Sequence, residues 1–247
     1  MSTGEPLEPL LRKLNGHVSL DDGDRAGILR LPHTVRELKP SAYIVREGET
    51  PGPCAVLIKG FAYRQKMAED GTRQILSLQI PGEALDLQHL FLDCADHNVQ
   101  ALTDVSLAMV PRAALRQLAR DRPNVAHAFA VSNLVDASIF REWLLNVGRR
   151  DARRRIAHLL CEVALRLEGQ DLQGEYGYEL PMTQEQIGDA TGLTAVHVNR
   201  MLRSLETDGL ITRHGKTVQF PNWTDLKREA GFDPLCLHLN QQAAGSF

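Results

Sequence analysis

The sequence is short of several features that would identify particular classes of protein. Only 5% of its 247 residues are aromatic, and its four cysteines, Cys54, Cys94, Cys161 and Cys236, are widely separated and form no Cys-x-x-Cys pair. This spacing gives neither a disulfide framework nor a zinc ribbon, and it fits a reducing compartment. No apolar run approaches the roughly 18 to 20 residues that cross a bilayer, and the N-terminus has no secretion signal. We therefore expect a folded cytoplasmic protein that does not enter a membrane.

The chain also lacks an excess of charge of one sign. Lys and Arg number 28 against 31 Asp and Glu, which gives a net charge of -3. A protein that binds nucleic acid over its whole surface would be strongly basic, so any such site must be local. Five arginines lie close together at Arg149, Arg150 and Arg153–Arg155. They form either an ordinary solvated face or a phosphate-binding face.

The motifs of common enzyme classes are missing as well. The chain contains no His-x-His, which metal-dependent cupin enzymes need in their barrel. It contains no Gly-x-Ser-x-Gly nucleophile turn and no phosphate-binding loop. We therefore predict that the protein is not an enzyme and has no metal site.

The pattern of residues 20 to 110 predicts a β-roll. Short apolar segments alternate with turns, among them Tyr43–Val45, Ala55–Ile58, Gln74–Leu78 and Val105–Val110. Glycines recur at intervals of 12, 11 and 11 residues, at Gly48, Gly60, Gly71 and Gly82. Strands separated in this way are typical of a small antiparallel barrel or jelly roll, since each hairpin needs a residue that tolerates positive φ. A short amphipathic helix precedes the roll and ends near Asn15, before a break in the pattern at residues 21 to 24.

A long helix is predicted between residues 121 and 148. Asp121 and Pro123 supply its start, since proline fits the first turn, where its missing N–H costs nothing. One stripe follows at helical spacing, formed by Val125, Phe129, Ser132, Val135, Ile139 and Trp143. The stripe either packs on the roll or meets a second copy of the helix, because about 25 helical residues extend roughly 37 Å. We expect dimerisation along this helix.

The stretch from 149 to 220 has the pattern of a winged helix-turn-helix. A helix over about 149 to 167 comes first, and Thr183 with Gln186 then forms a capping box at the start of a short helix. A glycine ends that short helix, and Thr194 caps a second helix that stops at another glycine. Two short strands follow, with a glycine at their turn and a lysine at its tip, which predicts a hairpin.

The second helix of this pair presents a polar face suited to DNA. Val198, Met201, Leu202 and Leu205 share one side, which leaves Val196, Arg200, Arg203 and Thr207 on the other. Arg200 can bond guanine O6 and N7, Asn199 can address adenine, and Val196 can contact a thymine methyl. Phosphate contacts suit Thr183, Gln184, His197, Arg203, Arg213 and Lys216. The alternative is a helical hairpin that serves only for packing.

On these residues the sequence resembles the Crp–Fnr superfamily of bacterial transcription regulators over nearly its whole length. The resemblance rests on Pro81–Glu83, Thr183–Gly188 and, most specifically, Val198–Leu205. It implies a homodimer that binds palindromic DNA and contacts RNA polymerase. Positions matching Ala195, Val196, Asn199 and Arg200 face bases in the family, and only the arginine is retained here. The candidate DNA-binding residues are Thr183, Gln184, Thr194, Ala195, Val196, His197, Asn199, Arg200, Arg203, Arg213 and Lys216.

The predicted sensor half departs from the family members that bind cyclic AMP. Those carry Gly-Glu-Leu and then Arg-Ser or Arg-Thr, which hold the ribose and the cyclic phosphate. This chain has Asp86–Gln88 and then His97-Asn98. Without the arginine the fork that pairs with a phosphate is lost, so we do not expect cyclic AMP to bind in the usual manner. The oxygen-sensing branch uses closely spaced N-terminal cysteines, whereas the first cysteine here is Cys54.

The sequence thus predicts an α+β fold in three parts. Residues 1–120 form a cyclic-nucleotide-binding-like sensor β-roll, 121–148 a dimerisation helix, and 149–247 a winged helix-turn-helix domain with a C-terminal extension that caps it. The expected function is a sequence-specific transcription regulator that binds a palindromic operator as a homodimer and responds to an unidentified signal, such as a small-molecule effector, through the roll. The alternative is a nucleotide- or small-molecule-binding regulatory module without DNA binding, which salt-dependent retention on duplex DNA would distinguish.

Overall fold

A computed structural model of the chain describes residues 5–168 and 177–239. The chain forms two compact units. The first contains the described residues up to Gln65, Leu78–Ala137 and the described residues from His238, and the second contains Lys66–Ser77 and Ser138–Leu237. The outermost limits of the predicted domains, 1 and 247, lie outside the described residues. Within the described ranges, no helix is both long and apolar enough to span a bilayer.

Two helices open the first unit. Helix α1 (Glu8–His17) confirms the predicted amphipathic helix and buries Leu10, Leu11 and Leu14. The predicted break at residues 21 to 24 is instead the start of a second helix, α2 (Asp22–Leu29). Asp21 and Asp24 form a capping box, in which each side chain accepts a hydrogen bond from the backbone N–H of the other.

Seven strands make the roll of the first unit, although the Lys66–Ser77 part of one hairpin belongs to the second. They are β1 (Thr34–Leu38), β2 (Tyr43–Val45), β3 (Cys54–Lys59), β4 (Ala62–Met67), β5 (Arg73–Gln79), β6 (Asn98–Ala101) and β7 (Val105–Val110). One sheet has the order β1-β7-β3 and the other β2-β6-β4-β5. All four predicted apolar segments lie in strands, and the four recurrent glycines all have φ between 83° and 92°. Both predictions are confirmed.

Apolar side chains from the two sheets meet in the middle of the roll. Leu57 and Leu107 from one sheet pack in a single cluster with Val99 and Ala101 from the other. A second cluster joins the helices to the first sheet, and it includes residues of the 3-10 helix Leu87–Leu90. This arrangement follows from the alternation of side chains along each strand, which gives each sheet one inward face.

The long predicted helix is preceded by another helix that the sequence pattern did not reveal. Helix α3 (Arg112–Asp121) ends where the long helix was expected to begin, and helix α4 (Pro123–Arg149) starts at its proline. Asp121 therefore does not cap α4, and its carboxylate accepts a hydrogen bond from Gln117 of α3. Leu115 is buried in the core, and Ala114, Leu118 and Ala119 pack against the same cluster, so α3 is amphipathic although it is short and its apolar face is made largely of alanine.

The apolar stripe predicted on α4 is buried within the chain. All six of its residues are buried, and Val125 and Phe129 belong to the core cluster of the first unit. In the second unit the Trp143 indole donates to Glu162 of helix α5 (Ala152–Glu168) at 2.8 Å. The stripe therefore follows the packing alternative.

The second unit has the predicted winged helix-turn-helix. Its further elements are β8 (Tyr178–Glu179), α6 (Gln184–Thr191), α7 (Ala195–Thr207), β9 (Thr212–His214), β10 (Thr217–Gln219), α8 (Trp223–Ala230) and the 3-10 helix Pro234–Leu237. Strand β8, which was not predicted, joins the hairpin in a sheet of order β8-β10-β9. Leu226 and Ala230 of α8 are buried, and α8 packs on α5, so the predicted cap is confirmed.

Candidate nucleic-acid interface

The turn between α6 and α7 fixes the direction of the second helix. Thr183 and Gln186 form the predicted capping box, and Gly192 ends α6 with φ 69°, in the left-handed region. Thr194 caps α7 by accepting a hydrogen bond from the His197 N–H. A Cβ on Gly188 would lie 2.4 Å from the Leu193 carbonyl oxygen, so the turn can close only on a residue without a side chain.

Helix α7 has one buried and one open side, as predicted. Val198, Leu202 and Leu205 are buried. Val196, Arg200 and Arg203 are exposed, and Val196 has 82% of its surface open to solvent. Exposure of an apolar side chain to water contributes no stability to the fold. In a major groove the same side chain can contact a thymine methyl.

Most of the residues predicted to approach DNA surround one shallow depression. It has a volume of about 390 Å³ and is lined by Gln184, Ala195, Val196, Asn199, Arg200 and Arg203. Thr183 and Thr194 are exposed at the N-termini of their helices, and His197 is half-buried. The start of α6 and the open side of α7 therefore bring the lining side chains together at one surface.

The two predicted cations of the wing differ in their surroundings. Arg213 donates to Glu206 of α7 at 2.6 Å, and this hydrogen bond lowers the pKa of the Glu206 carboxyl. Lys216 is exposed beside Gly215 at the turn of the hairpin. The structure therefore uses Arg213 to tie the wing to α7 and leaves Lys216 open to solvent.

The arginine cluster at the start of α5 serves packing to a large extent. Arg150 bonds Glu142 at 2.8 Å, and Arg153 pairs with Asp208 at 2.6 Å and Glu229 at 2.8 Å. Arg153 thereby joins α5 to the end of α7 and to α8. Carboxylates therefore already pair with the guanidinium groups of Arg150 and Arg153. Because these groups are engaged, the cluster is not a continuous phosphate-binding face.

Two further arginines hold helix α6 in place, and sequence reasoning missed both roles. Arg155 donates to the carbonyl oxygen of Thr191, the last residue of α6, at 2.9 Å. A cation at this end stabilises the helix through its dipole. Arg73, the first residue of β5, donates to Asp189 at 2.7 Å. Both residues lie within the second unit. No local pattern could have revealed the Arg73 contact, because 116 residues separate the partners.

The roll does not present a cation where a cyclic phosphate would be held. His97 is buried and its Nδ1 lies 2.6 Å from an Asp96 carboxylate oxygen. Arg64, a buried arginine of the same unit, donates to Asp136 at 2.8 Å and to the Leu85 carbonyl at 3.0 Å. These side chains do not fit a cyclic phosphate.

The described side chains do not fit a metal ion or an iron–sulfur cluster either. In residues 5–168 and 177–239, no three His, Cys, Asp or Glu side chains are grouped so that they could hold a metal ion. Cys54, Cys161 and Cys236 are buried free thiols and Cys94 is exposed. Burial is the main cause that raises the pKa of the Cys161 and Cys236 thiols to about 12, which disfavours the thiolate that a metal requires.

A β-roll, a long helix and a winged helix-turn-helix with an open cationic face define a class of DNA-binding regulators. Comparison with known families agrees with this class in both halves. The cyclic nucleotide-binding domain family matches residues 35–122, and the Crp-like helix-turn-helix domain family matches residues 154–229. The chain belongs to the Crp–Fnr superfamily of transcription regulators.

Individual relatives extend this likeness along the chain. The transcriptional activator protein FnrL of Cereibacter sphaeroides is 28% identical over 216 residues, which cover 86% of each chain. The nitrogen fixation regulation protein FixK of Rhizobium meliloti is 28% identical over 210 residues, covering 83% of this chain and 88% of FixK. The solved structure of FixK2 from Bradyrhizobium japonicum has a TM-score of 0.74 at 25% identity, covering 82% of this chain and 100% of FixK2. The protein is thus a DNA-binding transcription regulator of a family that does not consist of enzymes.

Proposed function

We propose that α7 lies in the major groove of duplex DNA and reads base edges with Arg200, Asn199 and Val196. The observation that carries this proposal is the open side of α7, where an exposed valine stands beside exposed arginines around one depression. The guanidinium of Arg200 can form two bonds to one guanine, and Val196 supplies the apolar contact that a thymine methyl needs. Ala195 lies close enough to the same depression to limit which base fits.

Contacts to phosphate hold the helix in register in this proposal. Arg203 of α7 and Lys216 of the wing are exposed cations. Thr183 and Gln184 stand at the start of α6, where backbone N–H groups and the helix dipole favour an anion. Thr194 and His197 occupy the corresponding first turn of α7. These contacts add affinity without adding sequence preference.

Dimerisation is proposed along a second stripe of α4. His127, Ala130, Leu134, Arg141, Leu144 and Gly148 are exposed, and Ala137 between them is half-buried. Their spacing alternates between three and four residues, which is the heptad pattern of a two-helix coiled coil. Leu134 and Leu144 have 66% and 71% of their surfaces exposed. A second copy of α4 would cover them.

A two-fold dimer implies a palindromic operator. Two copies of α7 would enter successive major grooves with centres about 34 Å apart, one turn of the duplex. RNA polymerase is the proposed partner in the cytoplasm, and the name of the activator FnrL suggests activation as the direction of the effect. The roll is the proposed sensor of a signal that remains to be found.

Selection of bound fragments from a random duplex pool tests the proposal. The full chain should enrich fragments with two inverted half-sites, and retention should fall steeply as salt is raised, because bound cations release counterions from DNA. Enrichment of a single unrepeated site would contradict the dimer. Absence of salt-dependent retention would favour the alternative of a ligand-binding module that does not bind DNA.

A further inference from the structure

A cavity of the first unit lies outside every site described above. It has a volume of about 410 Å³ and opens among the 3-10 helix Leu87–Leu90, α3 and α4. Leu90 and Phe129 are buried at the edge of the core and form its apolar wall, together with Ala119 and Ala126. The volume falls in the range of roughly 300 to 1,000 Å³ that ligand pockets have.

Two cations line the same cavity. Arg116 and Arg120 lie one turn apart on α3, and neither forms an ion pair with a described residue. The Arg116 Nε donates to the Leu90 carbonyl oxygen at 2.8 Å, which holds the guanidinium at the cavity wall. Asp121, the one acidic residue of α3, bonds Gln117 instead. Like charges at this spacing repel each other, so an anion between them would be stabilising.

An aromatic ring at the cavity is open to solvent. Phe91 lines the cavity with 82% of its surface exposed, and the neighbouring Leu92 is 53% exposed. We propose that the cavity binds an anionic amphiphile, a molecule with an apolar alkyl or aromatic body and one carboxylate, sulfonate or phosphate head. The head lies between Arg116 and Arg120, and the body packs against Phe91 and Phe129.

A second copy of the chain is the competing occupant, because Ala130 belongs both to the cavity and to the open stripe of α4. The charges argue against it. The open stripe contains His127 and Arg141 but no carboxylate, so this face of a second α4 offers no anion to the two arginines of α3. An anionic amphiphile would pair its head with the two arginines and cover the exposed Phe91 ring with its apolar body.

The test uses the full chain without DNA, so that a negative result leaves the proposed DNA binding untouched. The probe is 8-anilinonaphthalene-1-sulfonate, whose fluorescence rises in an apolar site. We expect saturable binding of one probe per chain, displacement by octanoate, and no displacement by the uncharged octanol at the same concentration. Arg120→Gln should weaken binding roughly tenfold or more, because it removes a charge-assisted hydrogen bond. Ala119→Phe should block binding by filling the cavity.

Arg36→Gln is the matched control, since Arg36 is an exposed arginine of β1 outside the cavity lining. It should bind the probe like the unaltered chain, and circular dichroism should show that all three variants are folded. Unchanged binding in folded Arg120→Gln would overturn the proposal. Equal displacement by octanol and octanoate would also overturn it, as would probe binding that appears only when the protein is diluted to monomers.

Discussion

At the scale of single residues, the open surface of α7 carries an exposed apolar side chain beside an exposed cation. Val196 exposes an apolar side chain, and Arg200 exposes a guanidinium one turn further along the helix. Each is well suited to the edge of a base pair, because the major groove offers both a thymine methyl and paired acceptors of guanine. The neighbouring Arg213 shows the opposite case, since Glu206 already engages its charge.

Arg200→Ala should relax base preference at one position of each half-site. The loss is expected to be about 1 to 3 kcal/mol against the preferred base, because two hydrogen bonds to its edge disappear. Lys216→Ala is the control, since removing the wing cation that is proposed to contact phosphate should weaken binding to all sequences alike. Binding measured on a panel of single-base operator variants checks both. An unchanged preference in Arg200→Ala would refute the assignment.

The lowered pKa of His158 predicts how the free energy of unfolding depends on pH. Burial, and then the charge of Arg150, lower the pKa of its imidazole to about 3. The unfolded chain, with a histidine pKa near 6.5, therefore binds a proton more readily than the folded chain. The resulting stability is complete above about pH 6.5 and is lost as the pH falls toward 3.

His158→Gln should remove this dependence. The free energy of unfolding of the unaltered chain, compared with that of the variant, should decline by on the order of 1 kcal/mol per pH unit below pH 6.5. Denaturant titrations between pH 7 and pH 5 measure the difference. His214→Gln is the control, because His214 is an exposed histidine of β9. Parallel pH curves for His158→Gln and the unaltered chain would contradict the argument.

At the scale of elements, the turn between α6 and α7 depends on the absence of one side chain. Gly188→Ala should destabilise the second unit by about 1 to 3 kcal/mol, because the new methyl would collide with the rigid Leu193 carbonyl. Gly16→Ala, in α1, is the control. A Cβ there meets nothing within 4 Å, and alanine favours a helix, so stability should stay the same or rise. Equal stability of the two variants in urea would contradict this account of the turn.

Helix α4 has one buried stripe and one open stripe, and the proposed role of the open stripe in dimerisation can be tested directly. Leu134→Glu should convert the proposed dimer to monomers in sedimentation experiments. Two leucines lose their burial per dimer, at about 1.5 to 3 kcal/mol each, which corresponds to at least a roughly hundredfold weaker association. Val35→Glu is the control, since Val35 is 54% exposed in β1, away from α4 in sequence. A dimer that survives Leu134→Glu would show that another surface joins the chains.

The elements that sequence reasoning predicted are those with a strong local signal. The glycines of the roll and the caps of α6 and α7 are such signals, since each specifies its backbone conformation from a few residues. Helix α3 was not predicted although it is amphipathic, because its ten residues are few and its apolar face consists of Leu115 and Leu118 with small alanines. The stripe on α4 was identified correctly as apolar, but periodicity cannot tell which neighbour covers a face.

The same limit applies to the candidate site. The open side of α7 follows from a period of 3.6 residues and needed no structure. The contacts of Arg73, Arg153 and Arg213 join residues of separate elements, so their partners depend on the tertiary fold. That is why sequence reasoning could place Arg213 on the wing but could not predict its bond to Glu206.

At the scale of the whole molecule, a chain of net charge -3 binds DNA only if its cations are gathered on one surface. Two copies joined along α4 would present two such surfaces. The separation of those surfaces, rather than total charge, would then determine which DNA is bound. A dimer of this kind requires both half-sites to lie on the same face of the duplex.

The central claim is tested most directly by changing the distance between the half-sites of the selected operator. Inserting roughly five base pairs, about half a helical turn, would move one half-site to the opposite face of the duplex. Affinity measured by fluorescence anisotropy at fixed salt should then fall to about that of a duplex with a single half-site. Affinity equal to that for the unaltered operator would contradict the claim that two linked copies of α7 read the DNA together.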